Sequence, residues 1–197
     1  LVLSQTCGMP YRTWLHEKVQ LVGTPDYGLE GCPAGYYRSP IVVRASDTRE
    51  DLLEYASATF TYNQTFSQSG FGAPYFHCQK RGFWFESRVQ SGGHLMSAKA
   101  VAEGHADIAA LDAVSWLMME RHEPWADKLR VLEWTEPTPG LPLITSASAD
   151  ADATFDAVQT ALARLSDEDK QALNLKGLVK IAKADYLAVP NPPGTSR

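Results

Sequence analysis

Short β-rich runs alternate with amphipathic helical stretches along most of the chain, so that the apolar period switches repeatedly between two and 3.6 residues. That alternation leaves few architectures open and points to a layered α/β protein with largely parallel sheets. Strand-like runs fall at Leu1 to Ser4, Val19 to Gly23, Tyr36 to Ala45, Thr59 to Asn63, Asp107 to Leu111 and Leu129 to Trp134. Pro40 lies inside the third run and marks an edge or bulge position, because proline has no N–H for a strand ladder. Asp47 with Glu50 reads as a capping box for a short helix whose apolar residues are Leu52, Leu53 and Ala56. A second helix leaves the polar turn Ser67 to Gly70 and runs towards Arg81; a third opens after Gln90 to His94, carries Ala98, Val101 and Ala102 on one face, and is stopped by Gly104. Asp112 is placed to cap the helix bearing Val114, Leu117 and Met118. Thr135 to Pro142 holds three prolines and a glycine and reads as an extended connector. The last third is mostly helical, with Phe155, Val158, Leu162 and Leu165 at helical spacing and a capping box at Ser166 and Asp169.

This layout predicts one lobe from residues 1–43 and 136–189, a compact second lobe from residues 44–135, and a disordered Pro/Gly/Ser-rich tail over 190–197. A chain that crosses twice, near Tyr36 to Arg44 and again near Thr135 to Leu143, has the arrangement of a hinged cleft. The 197 residues carry 18 basic and 23 acidic side chains, a net charge of -5, which gives no electrostatic reason to expect nucleic acid or an anionic membrane as partner. No apolar run approaches the roughly 18 to 20 residues of a membrane-spanning helix. The sequence starts at Leu1 with neither a basic n-region nor a small-residue cleavage site, so upstream residues are expected to have been removed. Cys7, Cys32 and Cys78 lack the paired spacing of a zinc site. Cys7 and Cys32 each sit in a turn-rich segment, and a bridge between them would close the intervening loop and argue for an oxidising compartment; inert thiols are the alternative.

Three strand-to-helix turns carry the residues with chemistry. In Tyr62-Asn63-Gln64-Thr65-Phe66-Ser67-Gln68-Ser69-Gly70, two hydroxyls and a glycine stand at a helix start, where unpaired N–H groups and the positive dipole end favour a tetrahedral oxyanion. No Walker lysine follows, which argues against a nucleoside triphosphate loop. Ser91-Gly92-Gly93-His94 repeats the geometry and places a ring nitrogen in the first helical turn. Ala109-Ala110-Leu111-Asp112 adds a carboxylate at the carboxyl end of a strand, where open α/β sheets gather ligands. Each residue alone could be a plain helix cap or a surface group; their convergence on one sheet end is the stronger signal.

With these residues in view, the chain resembles the phosphate, phosphite and phosphonate type of substrate-binding protein that serves ABC transporters. Ser67-Gln68-Ser69-Gly70 after Tyr-Asn, Ser91-Gly92-Gly93-His94, the run Gly104 to Asp112 and Pro139-Gly140-Leu141-Pro142 carry the resemblance, which extends to about residue 188. It implies a type II periplasmic-binding-protein-like α/β fold of two lobes with a hinge, the first lobe incomplete because relatives have a further strand-helix unit before the position of Leu1. It also implies a non-enzymatic receptor in the periplasm that binds a phosphorus oxyanion in the interlobe cleft and delivers it to an ABC transporter permease, with no cofactor and no metal. Carried over, Ser67, Gln68, Ser69 and Gly70 form the oxyanion cradle, His94 and Asp112 complete it, and Tyr11 faces the ligand from the first lobe. Asp112 would repel a dianion, so it suits a ligand that keeps a proton or carries an amine.

Competing expectations keep the fold with another small anion or metabolite, such as a sulfonate or a thiamine-precursor pyrimidine, or reduce the chain to a truncated module that binds nothing. An edge or core exposed by the missing unit would favour pairing into a homo-oligomer. A thiol hydrolase using Cys78 with His77 or His94 is the rival from another class, although neighbours such as His77 and Cys78 point about 100° apart on a helix. A metal site from His94, His105, Asp107 and Asp112 has no recognisable ligand spacing.

Overall fold

The computed structural model describes residues 1–195. Its strands are β1 (Ser4–Gln5), β2 (Val19–Asp26), β3 (Tyr36–Tyr37), β4 (Pro40–Arg44), β5 (Phe60–Tyr62), β6 (Arg88–Gln90), β7 (Ile108–Ala110), β8 (Leu129–Trp134), β9 (Thr138–Pro139), β10 (Leu143–Ser146) and β11 (Gly177–Val179). Its α-helices are α1 (Gly8–Pro10), α2 (Ala73–Gln79), α3 (His94–Ala102), α4 (Ala113–His122), α5 (Ala151–Ala163), α6 (Asp167–Ala172) and α7 (Lys183–Ala188). The chain divides into two compact units. Unit 1 contains Leu1–Tyr37 and Pro137–Asn191; unit 2 contains Arg38–Glu136 with Pro192–Thr195.

Unit 2 is built on a five-stranded sheet of order β6-β5-β7-β4-β8. β5 pairs in parallel with β6 and β7, while β4 runs antiparallel to both β7 and β8. Helices cover both faces, so the strands read as continuous apolar runs whose alternate residues enter different cores. Ile41, Val43, Ile108 and Ala110 pack with Leu52, Tyr55, Phe60, Cys78 and Phe85 on one face. Val42, Ala109 and Leu111 pack with Ala98, Val101, Trp116 and Met119 from α3 and α4 on the other.

Unit 1 has a four-stranded sheet, β1-β10-β2-β11, in which every pairing is antiparallel. The expectation of largely parallel sheets therefore fails here. β10 lies more than a hundred residues along the chain from its neighbour β2, so no helical crossover between adjacent strands fixes a parallel sense. Phe155 of α5 packs with Val22 and Leu178 on this sheet, so closely that a Cβ at Gly23 would stand 2.8 Å from its ring. A separate cluster joins Tyr11, Ile144 and Tyr186, whose hydroxyl is 2.6 Å from Thr24 Oγ1 and donates to the Gly140 carbonyl at 3.1 Å.

Several local expectations shift. The first strand is Ser4–Gln5 rather than Leu1 to Ser4. The run Tyr36 to Ala45 splits into β3 and β4, and Pro40 opens β4, an interior strand whose register slips after Ile41, so the bulge reading holds and the edge reading does not. The capping box is Asp51 with Glu54, four residues later than expected: the Asp51 carboxylate accepts from Leu53 N–H and Glu54 accepts from Asp51 N–H, while Asp47 pairs with Arg49 at 2.6 Å. β10 and β11 lie in a third of the chain expected to be mostly helical. Cys7 and Cys32, the pair expected to bridge, both lie in partly buried positions. Within the expected tail, Pro190 and Asn191 are held by the Arg12 guanidinium at 3.1 and 2.7 Å, and Ser196 and Arg197 lie outside the described residues.

Phe60 is fully buried and stacks on Phe85 with ring centroids 4.8 Å apart. Phe60→Ala should destabilise unit 2 by about 3 to 5 kcal/mol. Four of the five tryptophans, Trp84, Trp116, Trp125 and Trp134, lie in unit 2, so urea denaturation followed by tryptophan fluorescence reads this unit. A loss below about 1 kcal/mol would contradict the core assignment.

Candidate functional site

The polar residues singled out in unit 2 follow β5, β6 and β7. β5 ends at Tyr62, and Asn63 to Phe66 lead to Ser67, whose hydroxyl caps the next helical turn by accepting from Gly70 N–H at 3.1 Å. That turn is a wide one, Gln68–Gly72, with Phe71 N–H and Gly72 N–H both donating to the Ser67 carbonyl, and it runs directly into α2. Ser67, Gln68 and Ser69 are all buried. These three neutral polar side chains are withdrawn from water at a helix start, where the backbone N–H groups supply a partial positive charge.

After β6 the backbone is tied to the β5 exit: Ser91 N–H donates to the Tyr62 carbonyl at 2.8 Å and Gly92 N–H to the Asn63 carbonyl at 3.0 Å. Gly92 takes φ +91, a conformation suited to glycine. The Ser91 hydroxyl lies 2.6 Å from Ser97 Oγ and fixes the first turn of α3. His94, at the start of α3, places Nε2 3.1 Å from Ser69 Oγ and 3.2 Å from Asn63 Nδ2. Gly70 lies beneath them; a Cβ there would come 2.1 Å from Asn63 Oδ1 and 3.2 Å from His94 Cε1. Glycine at this position is thus a packing requirement.

After β7, Asp112 caps α4, its Oδ1 accepting from Ser115 N–H at 2.8 Å. Its other oxygen is buried with no hydrogen-bond partner among the described residues, and so are Nδ1 of His94 and Oδ1 of Asn63. Burial holds the His94 pKa below the ordinary histidine value, and the attraction of Asp112 opposes that shift only in part. The ring is therefore neutral near pH 7.

Ser67, Gln68, Ser69, Gly70 and His94 come together in unit 2, and Asp112 is near enough to His94 to influence its charge. Tyr11 belongs to unit 1 and is 1% exposed there, its ring edge-on to Tyr186 at 5.2 Å and its hydroxyl pKa pushed up to about 12 by burial. Asn63 was visible only as part of the segment before the serines; its contact with His94 across 31 positions has no local signature.

The other chemistries find little support in this geometry. Cys78 is fully buried and its thiol is pushed up to about 12, far from a nucleophilic thiolate, while His77 is engaged with Glu133 at 2.7 Å. Among the described residues no group of three or more His, Cys, Asp or Glu side chains is placed to hold a metal ion. Asp107 instead pairs with Arg44 at 2.9 Å and accepts from Thr59 N–H at 2.9 Å. Among the described residues no helix is long and apolar enough to cross a membrane.

A family model described as the periplasmic substrate-binding protein of phosphonate ABC transporters matches residues 7–186. A binding protein component of an ABC phosphonate transporter from Pseudomonas aeruginosa superposes with a TM-score of 0.74 at 19% identity, over 95% of this chain and 65% of its own. PhnD1 from Prochlorococcus marinus, solved with methylphosphonate, gives a TM-score of 0.74 at 17% identity, over 94% of this chain and 75% of its own. A Xanthomonas citri protein bound to ATP gives 0.69 at 14% identity, over 94% of this chain and 74% of its own. These likenesses establish a type II periplasmic-binding fold, and this chain spans between about two thirds and three quarters of those structures. No curated protein sequence matches it.

The neutral state of His94 has a consequence for stability. Its folded pKa lies below the unfolded value of about 6.5, so the unfolded chain binds the proton first on acidification. The contribution of the neutral ring is fully present above about pH 6.5 and is lost as pH falls towards the folded value. Urea midpoints measured from about pH 8 to about pH 5 should fall less steeply for His94→Gln than for the native chain. Parallel curves would mean that His94 is not buried as a neutral group.

Proposed function

Because the chain belongs to the family of periplasmic substrate-binding proteins of phosphonate ABC transporters, we propose that it is the receptor component of an ABC-type importer for a phosphorus oxyanion, a phosphonate, phosphite or phosphate. It works in the periplasm, binds its ligand non-covalently and delivers it to a permease, with the two units serving as the lobes of a hinged receptor. No catalytic step belongs to this reading.

The observation that carries it is the buried cradle of unit 2. Ser67, Gln68 and Ser69 stand at a helix start with His94 beside them, and hydroxyl, ring and N-terminal dipole are the groups that a tetrahedral oxyanion needs. We assign the cradle to Ser67, Gln68, Ser69, Gly70, His94 and Asp112, with Tyr11 of unit 1, a buried residue, as a further ligand-binding candidate. Asp112 sets the selectivity. Its buried Oδ2 can accept a hydrogen bond and repels negative charge, so it favours an oxyanion that retains a proton or carries an amine.

Isothermal titration with phosphate, phosphite, methylphosphonate, 2-aminoethylphosphonate and sulfate tests this. At least one phosphorus oxyanion should bind, whereas sulfate, fully ionised and without a proton to give Asp112, should not. Ser69→Ala should weaken binding by about tenfold, the loss of one charge-assisted hydrogen bond, with little change in melting temperature. Silence towards all four phosphorus oxyanions overturns the reading.

A further inference from the structure

The carboxamide nitrogen of Asn63 hydrogen-bonds Nε2 of His94 at 3.2 Å, while its Oδ1 is buried over Gly70 without a partner among the described residues. A carboxamide N–H can only donate, so Nε2 has to accept, and a neutral imidazole that accepts at Nε2 carries its proton on Nδ1. Ser69 Oγ, 3.1 Å from the same nitrogen, imposes no such constraint, because a hydroxyl can donate or accept. Nδ1 of His94 is itself buried and has no hydrogen-bond partner among the described residues.

From this geometry we infer that Asn63 is a positioning residue of the cradle: it locks His94 as the Nδ1–H tautomer and thereby makes Nδ1–H the donor that the bound oxyanion takes up. The inference rests on the receptor reading for its ligand and on the local contacts for its tautomer. Two observations support it independently of the hydrogen bond. The absence of a side chain at Gly70 is what leaves room for the carboxamide, since a Cβ would stand 2.1 Å from Oδ1. The seat of Asn63 is also fixed from the backbone, its carbonyl accepting from Gly92 N–H at 3.0 Å in the turn that leads to His94. Asn63 thus meets His94 through its side chain and the approach to His94 through its main chain. Asp112 supplies the complementary acceptor, so the cradle would offer a ligand one fixed donor and one fixed acceptor.

Long-range nitrogen-proton correlation spectra of the 15N-labelled chain, with His94 assigned by its absence in His94→Gln, read the tautomer without any ligand. The native chain should show a protonated Nδ1 and a bare Nε2. Asn63→Asp keeps the size and replaces the donor by an acceptor, so it should bring a proton to Nε2; because the charge it adds repels an oxyanion by itself, affinity is read in the neutral variant Asn63→Ala. Asn63→Ala should give mixed tautomers and weaken methylphosphonate binding by about fivefold to tenfold. An Nε2–H signal in the native chain, or a bare Nε2 in Asn63→Asp, overturns the inference, as does an unchanged affinity for methylphosphonate in Asn63→Ala. If the native chain does not bind methylphosphonate but shows the Nδ1–H tautomer, and Asn63→Asp a protonated Nε2, the receptor reading fails for that ligand while Asn63's hold on His94 stands.

Discussion

The parallel pairing of β5 with both β6 and β7 is the constraint on which the site depends. Parallel neighbours cannot be joined by a hairpin, so the chain has to return through a helix after each strand. Each exit from the sheet is consequently a helix start, and the exits of three strands gather at one edge. Ser67 to Gly70, His94 and Asp112 occupy those exits. β4 makes the arrangement stable by running between β7 and β8 in the opposite sense, where its residues feed both cores and remove a sheet edge.

A fold selected for stability alone would not concentrate buried polar groups as this one does. Ser67 meets the requirement for partners through its cap to Gly70, but Asp112 Oδ2, His94 Nδ1 and Asn63 Oδ1 do not. Each unsatisfied buried group costs on the order of 1 to 3 kcal/mol. Elsewhere in unit 2 buried or half-buried charge is matched, as Arg44 is by Asp107 and Arg81 by Glu133. Thr61 Oγ1 and His16 Nδ1 share the unsatisfied state elsewhere, so it is the grouping of three such atoms around the cradle, and not the state itself, that marks polarity kept available for something else.

The sequence was most readable where structure is decided locally. Asp112 and Ser166 cap their helices as read, because each needs only the N–H three residues ahead. Asp47 to Glu50 and Asp51 to Glu54 fit the same capping pattern, and the choice between them depends on Arg49, which captures Asp47. β10 and β11 were missed because they are short and their partner, β2, lies more than a hundred residues away. The serines, the glycine, His94 and Asp112 were legible as a motif, whereas Asn63 was not. A carboxamide acts according to what it touches, and its partner is a tertiary neighbour. Tyr11 packs with Ile144 and Tyr186 in the core of unit 1, a tertiary environment with no local signature in its own motif.

The main body of unit 2 begins and ends at the same place. Ser39 N–H donates to Thr135 Oγ1 and Thr135 N–H to the Ser39 carbonyl, each at 3.0 Å, and the Arg38 guanidinium lies 4.6 Å above the Trp134 ring. The unit that carries the cradle is therefore spliced into its host as a cassette, with its two ends fastened together. Such an insert can be circularly permuted by linking those ends and opening the chain at a surface loop. It can also be exchanged between hosts as one piece, a route by which the cradle can diversify while the rest of the chain stays the same.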